Sequence, residues 1–395
     1  MKRARVELLP LTSLRFFLAS WIVILHLDTA LSPATVFGIP ATSAEHNIVR
    51  CGYVGVGVFF LLSGFILALN YPLDRTWNTV AVKKFAVARF SRIYPVYFLG
   101  LVSIAPVVLI PSILEHSRSL FMRRSFSGFL NGVLLQAWVP RTAITWNGPG
   151  WSLSNEAFFY LCFPVLGVWL FRRLSWRRFM AGLIGFFVLE LAVPVLCIVK
   201  GAPGFSDLPA TGEPGTLLAY FAMFNPLLNL PFFLYGILAY WCFSRLEESD
   251  SILCGRGYIL YIPSILALLV MTSLGNHIPY PLMHGGLTLF PALGIVIGFA
   301  LGDKYLCVLM SNRTLVFMGK ASYAEYLLHA PLRIAFESIG LTWTPTLTVT
   351  YCVIVLIVSA LVFHFFEEPL QRKIRKWMLA KERSRIDGVK IEVSA

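Results

Sequence analysis

The chain has 395 residues, of which 57% are hydrophobic and 13% are charged, and its formal net charge is +13. Soluble proteins average roughly 25% charged residues, so this composition excludes an ordinary soluble protein, which would have too little polar surface to cover its core. The basic excess does not indicate nucleic-acid binding, because no soluble region that is both basic and aromatic accompanies it. Seven scattered cysteines without a CxxC pair indicate neither a disulfide framework nor a metal cluster.

The apolar residues come in runs that, with their flanks, are long enough to span a bilayer as helices. The first run follows three basic residues as a signal sequence would, but it holds Arg15 and His26 and lacks a clean small-residue cleavage site, which favours a retained helix. We predict an all-α, polytopic membrane protein with ten transmembrane helices at about residues 14–32, 53–71, 92–111, 153–171, 179–199, 226–243, 258–274, 287–303, 316–338 and 346–366.

Loop charge predicts the orientation, because basic residues accumulate in cytoplasmic loops. The loop 172–178 carries four arginines, and it is cytoplasmic only if the short apolar segment Phe126–Val139 does not span. We therefore predict that Phe126–Val139 is interfacial or re-entrant and that both termini are cytoplasmic. Residues 1–378 are expected to form one transmembrane domain, with 379–395 as a basic cytoplasmic tail and about 200–225 as the longest outer loop.

Ionisable residues inside a bilayer are costly, so each one in a predicted span is a functional candidate. Arg15 and His26 are eleven residues apart, which is three helical turns plus about 20° and about 16 Å along the axis, so both project from one helix face. Arg15 is expected near the cytoplasmic end and His26 in the outer half. The alternatives are snorkelling of Arg15 to the interface and a structural, hydrogen-bonded role for His26.

Two further motifs place charged residues near span ends. Arg89 and Arg92 share one face of the third span and suit phosphate oxygens, although topology setting alone also explains them. In the segment 147–160, Gly and Pro break the chain and a helix begins. Its Glu156 either interacts with the helix dipole or lines an outward cavity beside His26.

The ninth span contains a polar stripe that must face the protein interior or water. Ser322, Tyr326 and His329 lie on one helix face, with Glu325 at its edge. Glu190 is a lone carboxylate in the fifth span, for which the sequence indicates no partner. The glycines of the second span permit close approach of another helix.

These motifs, in this order, resemble those of the acyltransferase 3 family of membrane O-acyltransferases, and the resemblance runs from about residue 8 to 378. Each short motif alone has little specificity, whereas six in sequence on suitable spans are specific. The matching segments are Arg15 with His26 (Arg, ten residues, His), 59–65 (FFxLSGF), 89–97 (RxxRIxPxY), 151–160 (WSLSxE-FFY), 322–329 (SYxxYLxH) and 365–369 (FxEEP). The departures are Glu325, where an apolar residue is usual, and Thr12-Ser13, where Asp-Gly is common.

The resemblance implies an enzyme that moves an acyl group, commonly acetyl, from cytoplasmic acyl-CoA to a hydroxyl of a glycan or other cell-envelope or small-molecule acceptor. It implies that Arg15, Arg89 and Arg92 bind the anionic CoA donor. His26 is expected to act as general base or transient acyl carrier, since an imidazole titrates near neutral pH, and Glu156 is expected to assist it.

The acceptor side is expected to include Trp151, Ser322, Tyr326 and His329. Acetyl-CoA or another acyl-CoA is the implied co-substrate, with no tightly bound cofactor and no metal. The implied location is the cell inner (cytoplasmic) membrane, with lipids as further partners. Two alternatives stay open: a transporter or flippase that moves a glycan or acylated metabolite without chemistry, and transfer of a larger acyl group such as succinyl.

Overall fold

The computed structural model describes residues 8–31, 38–40, 43–74, 76–200 and 214–378, and these residues form helices and turns without a strand. The predicted tail 379–395 lies outside them. The first helices are α1 (Leu9–Leu31), α2 (Ala44–Arg50), α3 (Val54–Asn70), α4 (Thr79–Leu114), α5 (Arg118–Gly132), α6 (Trp151–Cys162), α7 (Val168–Arg173) and α8 (Trp176–Val199). The remaining helices are α9 (Pro214–Phe224), α10 (Pro226–Glu248), α11 (Tyr258–Ser273), α12 (Tyr280–His284), α13 (Leu289–Leu301), α14 (Leu306–Met310), α15 (Arg313–Ser338) and α16 (Pro345–Val362).

Three irregular turns join some of these helices into longer units. A 3₁₀ turn, Cys51–Tyr53, connects α2 to α3. A π turn, Phe163–Gly167, connects α6 to α7, and a second one, Phe363–Glu367, follows α16 and continues as helix to residue 378. Such π turns insert an extra residue into a helix and often occur at functional sites.

Among the described residues, eight helical segments are long and apolar enough to cross a bilayer. They are Leu9–Leu27, Ala44–Asn70, Thr79–Leu114, Gly148–Arg173, Trp176–Val199, Leu217–Glu248, Tyr280–Leu301 and Pro345–Met378. The other two predicted spans are also helices, but α11 has only 16 residues and α15 carries charged residues along its length. The prediction of an all-α, polytopic membrane protein is confirmed.

The segment Phe126–Val139 does not form a helix of membrane-spanning length. It comprises the end of α5 and a 3₁₀ turn, and the hydroxyls of Tyr94 and Tyr97 donate to the carbonyls of Gly132 and Asn131 at 3.0 and 2.8 Å. These bonds fix the end of α5 against α4. The arrangement agrees with the prediction that this segment does not span.

The predicted loop at 200–225 contains a helix, so that prediction was wrong for its second half. Residues 214–224 form α9, whereas 201–213 lie outside the described part of the chain. The break before α10 occurs at Asn225, whose side-chain oxygen accepts from the backbone N–H of Leu227 at 3.0 Å. This cap satisfies an N–H group that the start of a helix would otherwise leave unpaired.

Contacts between helices show that the bundle has two distinct ends. α1 and α15 run in parallel, because the Ser13 hydroxyl donates to the carbonyl of Met310 at 2.5 Å and the Arg333 guanidinium donates to the carbonyl of His26 at 3.4 Å. α4 runs in the same direction, since the Tyr323 hydroxyl donates to the carbonyl of Ile93 and, further along both helices, a Cβ on Gly100 would lie 3.6 Å from the carbonyl oxygen of Leu327. α1, α4 and α15 begin at the same end of the bundle, and α7 ends there. We call this end the basic end.

Two glycines allow α3 and α10 to touch backbone to backbone. A Cβ atom on Gly64 would lie 2.0 Å from the carbonyl oxygen of Phe233, and one on Gly236 would lie 2.1 Å from that of Leu61. Small residues at such crossings let membrane helices approach closely. This contact confirms the packing role predicted for the glycines of the second span.

The crossing predicts a loss of stability on adding one methyl group. Gly64→Ala should lower the free energy of unfolding in detergent micelles by about 1–3 kcal/mol, because the backbones must move apart. Gly185→Ala is the matched control, since a Cβ there meets no atom within 4 Å. Equal melting temperatures for the two variants would contradict the contact.

Candidate active site

A pocket of about 40 Å³ lies between α1, α3, α6 and α15. Polar groups of Arg15, Ser152, Glu156, Ser322 and Tyr326 face it, while its apolar wall comes from α3. We call it the Arg15 pocket. Its volume suits a small group or one or two water molecules.

The Arg15 pocket forms because α1 and α15 touch at their first turns. A Cβ on Gly319 would lie 2.0 Å from the carbonyl oxygen of Thr12, so only glycine permits this approach. The contact places Ser322, one turn beyond Gly319, and Arg15, one turn beyond Thr12, on the same pocket. Arg15 therefore faces protein groups rather than only snorkelling to the interface.

The Glu156 carboxylate interacts with a cluster of three guanidinium groups. Its electrostatic partners are Arg15 first, then Arg92 and Arg89. The Tyr160 hydroxyl, one turn along α6, donates to the same carboxylate at 3.2 Å. A buried charge is tolerated when opposite charges and hydrogen-bond donors surround it, as they do here.

Arg89 and Arg92 lie on one face of α4, as predicted, but they have different partners. Arg92 forms an ion pair with Glu367 and lies over the ring of Tyr323, 5.2 Å from its centroid. Arg89 donates to the Tyr71 hydroxyl at 3.3 Å and lies 5.5 Å from the centroid of that ring. Arg92 is thus held by a carboxylate, and Arg89 is held by an aromatic group.

Glu367 is the site residue that the sequence analysis missed. Its side chain is fully buried and its partner is Arg92, whereas neighbouring Glu368 forms an ion pair with Arg372 and is 38% exposed. Both glutamates belong to the FxEEP motif, which was noted only as a resemblance. The π turn Phe363–Glu367 alters the helical register, so regular periodicity does not show which glutamate points inward.

Two histidine rings contact each other in a tilted arrangement beyond the Arg15 pocket. The ring centroids of His26 and His329 are 4.9 Å apart at an interplanar angle of 42°. Nδ1 of His26 lies 2.8 Å from the carbonyl oxygen of Ile22, and Nδ1 of His329 lies 3.3 Å from that of Glu325. A carbonyl only accepts, so each Nδ1 is the donor in the neutral ring, and each Nε2 carries the lone pair. Among the residues that the structure describes, the buried Nε2 of His329 has no hydrogen-bond partner.

Tyr326 lies between the Arg15 pocket and this histidine pair. Its ring centroid is 6.1 Å from that of His329, and its hydroxyl lines the pocket, donating to the carbonyl of Pro149 at 2.9 Å. The same hydroxyl is 2.9 Å from Oγ of Ser152. Trp151, the residue before Ser152, is buried and packs with its ring centroid 4.9 Å from that of Phe224.

The structure corrects the expected place of Glu156. One of the two sequence interpretations put Glu156 in an outward cavity beside His26, but the carboxylate lies in the Arg15 pocket, and the ring that contacts His26 is His329. Arg15 precedes His26 by three turns of α1, so the two positions are about 16 Å apart along the helix axis. The buried arginines attract the carboxylate more strongly than a neutral imidazole does.

Two other buried carboxylates lie outside these clusters. Glu190 borders a separate cavity of about 50 Å³ together with Asn229 and His284. Glu325, which departs from the family motif, accepts a hydrogen bond from the Ser20 hydroxyl at 2.8 Å between α15 and α1. In the part of the chain that the structure describes, no group of three or more His, Cys, Asp or Glu side chains is arranged to hold a metal ion.

A family model described as an acyltransferase domain matches residues 11–364, which include the three arginines, Glu156 and both histidines. The chain belongs to the acyltransferase 3 family. It is therefore a membrane acyltransferase of the O-acetyltransferase type, as the motifs predicted.

Three relatives illustrate the range of this family. Acyltransferase MdmB of Streptomyces mycarofaciens is 30% identical over 82% of this chain and 79% of its own length. Peptidoglycan O-acetyltransferase OatA of Listeria monocytogenes is 25% identical over 87% of this chain, and the putative peptidoglycan O-acetyltransferase YrhL of Bacillus subtilis is 25% identical over 82%. The chain spans about half the length of these two, with 55% and 51% covered. No solved structure matches the chain.

The ion pair of Arg92 predicts that substitutions of two adjacent glutamates differ in their effect on stability. Glu367→Gln should lower the free energy of unfolding in detergent micelles by about 3–5 kcal/mol, because it leaves Arg92, which is only 18% exposed, without its carboxylate. Glu368→Gln should change it by less than about 1 kcal/mol, because its pair with Arg372 is exposed to solvent. A Glu367→Gln protein as stable as the Glu368→Gln protein would refute the assignment.

Proposed function

We propose that this enzyme transfers an acetyl group from cytoplasmic acetyl-CoA to a hydroxyl of a glycan or related cell-envelope acceptor. The observation that carries the proposal is the continuous series of Arg15 pocket, Tyr326 and the His26–His329 pair along the seam of α1 and α15. One end of this series offers fixed positive charge, and the other offers imidazole nitrogens. Donor binding and proton transfer need these two features together.

The donor site of the proposal is the arginine cluster near the basic end. CoA is strongly anionic, and guanidinium groups bind phosphate through paired hydrogen bonds. The loops at the basic end carry most of the lysines and arginines, which supports a cytoplasmic location for this end and for both termini. On this orientation acetyl-CoA reaches Arg15, Arg89 and Arg92 directly from the cytoplasm, across the cell inner membrane from the acceptor.

The chemical step of the proposal centres on His26. Its Nδ1–H is held by the carbonyl of Ile22, so Nε2 is the nitrogen that accepts a proton. As Nε2 removes the proton from the acceptor hydroxyl, the oxygen attacks the thioester carbonyl carbon. The new C–O ester bond forms, the C–S bond breaks, and the CoA thiolate takes the proton from the imidazolium. The tilted contact with His329 helps to keep the His26 ring in place.

In this proposal Glu156 is a partner of the arginines and not of His26. In the Arg15 pocket it balances the guanidinium charges and keeps them in a fixed arrangement. Ser322 and Tyr326 then line the route from this pocket toward the histidines, whereas Trp151 packs beside them against Phe224. In this proposal the acceptor hydroxyl approaches His26 from the end opposite the basic end. A glycan acceptor is supported by the names of two relatives, a peptidoglycan O-acetyltransferase and a putative one.

The proposal predicts that removing the His26 imidazole strongly reduces acetyl transfer while the protein is still produced. His26→Ala should reduce acetyl transfer by about 10²–10⁴-fold, the usual contribution of a general base. His364→Ala is the matched control, because His364 is exposed on the helix that follows α16. The measurement is the acetyl content of cell-surface glycans by mass spectrometry, in cells that produce equal amounts of each protein.

The same experiment separates an acyltransferase from a transporter. A transporter that moves an acylated molecule without chemistry does not release CoA from acetyl-CoA, so thiol release by the purified protein is measured beside glycan acetylation. Full acetylation with the His26→Ala protein would disprove the proposed mechanism. Glycan acetylation without CoA release by the purified wild-type protein would instead favour transport.

A further inference from the structure

A second, much larger groove lies at the basic end, outside the Arg15 pocket. Its volume is about 570 Å³, within the range of small-molecule sites, whereas the Arg15 pocket has about 40 Å³. The groove is bordered by the segment before α4, by the π turn after α6 and by α7. The residues that matter for its chemistry are Trp77, Pro164, Val168, Trp169, Arg172 and Arg173.

The groove wall combines two guanidinium groups with two indole rings. The Arg173 guanidinium lies over Trp169, 4.9 Å from the ring centroid, and Arg172 lies one residue away. The lining residues that the structure describes include no acidic side chain. Guanidinium groups bind phosphate oxygens, and indole rings stack on planar heterocycles. The wall therefore fits a ligand that is both multiply phosphorylated and aromatic.

A chain of contacts leads from this groove to the arginine cluster. The Trp77 ring centroid is 5.6 Å from that of Tyr71, and the Tyr71 hydroxyl accepts a hydrogen bond from Arg89. Arg89 interacts electrostatically with Glu156 in the Arg15 pocket. The groove is thus adjacent to the proposed donor site rather than an isolated feature of the surface.

The distance between the groove and the Arg15 pocket matches the arm of the donor. Glu156 borders the pocket, and Val168 borders the groove on the same continuous helical segment. They are twelve positions apart, which corresponds to about 18 Å along the helix axis. Phe60 of α3 borders the pocket, and Tyr71, which follows α3 and contacts Trp77 of the groove, is eleven residues or about 16 Å further along. The pantetheine arm has twelve bonds from its phosphate oxygen to its sulfur, and at the spacing of an extended peptide these span about 15 Å.

We propose that this groove binds the 3′-phosphoadenosine diphosphate part of acyl-CoA. Arg172 and Arg173 contact the phosphates, and an indole ring of Trp77 or Trp169 stacks on the adenine. The pantetheine arm passes Arg89 into the Arg15 pocket, and its thioester end is directed along Tyr326 toward His26. This inference rests on the proposed function, since it names the site of the same donor. It places the phosphates on α7 and the segment before α4, so that Arg15 and the paired arginines of α4 face the pantetheine arm and the thioester instead.

The phosphate of a lipid headgroup is a second ligand that suits the arginines and tryptophans of this groove. Tryptophan and arginine also gather at membrane–water boundaries, where they contact headgroups. The connection to Arg89 and the matching length favour the nucleotide, because a lipid headgroup requires neither. The test therefore includes one arm for each source.

The test compares two double variants with the same loss of charge. Arg172→Ala/Arg173→Ala removes the groove arginines, whereas Arg177→Ala/Arg256→Ala removes two exposed arginines of other loops at the basic end. Full-length proteins in phosphatidylcholine nanodiscs are titrated with radiolabelled CoA, and 3′,5′-ADP is then used as competitor. The groove variant should bind CoA about tenfold or more weakly and lose competition by 3′,5′-ADP, and the control should match the wild type.

The outcomes separate this inference from the proposed function. If the wild type binds CoA and the groove variant binds CoA and 3′,5′-ADP equally well, the groove assignment is wrong and the donor proposal stands. If the wild type does not bind CoA, both are wrong. A groove variant that differs only in stability, and only in nanodiscs containing phosphatidylglycerol, assigns the groove to a lipid phosphate and overturns the nucleotide proposal.

Discussion

A charge placed inside a bilayer needs opposite charge around it, and this constraint organises the basic half of the molecule. Arg15, Arg89 and Arg92 come from α1 and α4, and the carboxylates of Glu156 and Glu367 come from α6 and from the turn after α16. Segments that are remote along the chain therefore meet at one level of the bundle. Breaking one of these pairs leaves an uncompensated charge that lipid cannot solvate, so the charges select one arrangement of the helices.

Because α1 and α15 pack in parallel, polar residues continue from this charged level along the two helices and across the protein. Gly319 lets the first turns of the two helices touch, and from there the seam carries the Arg15 pocket, Tyr326 and the histidine pair in order. Polar side chains within a bilayer must face protein, and here they face each other along one line. The same line joins the two tasks of acyl transfer, because it begins with fixed cations and ends with imidazole nitrogens.

Departures from regular helix geometry decide which side chains reach this site. The π turn Phe363–Glu367 directs Glu367 inward to Arg92 and leaves Glu368 at the surface. The π turn Phe163–Gly167 lies between the Arg15 pocket and the groove at the basic end. A regular 3.6-residue period does not describe either segment, so periodicity predicted the helices there but not the direction of each side chain.

The sequence by itself determined the membrane class, the position of the spans and the family, because bilayer thickness sets helix length and the motifs follow one another in order. The spacing of eleven residues also placed Arg15 and His26 on one face of a helix. Only the tertiary structure decided the partners: Glu156 with the arginines, His329 on His26, and Glu367 on Arg92. Such contacts join helices that are distant in sequence, and no local spacing records which faces will meet.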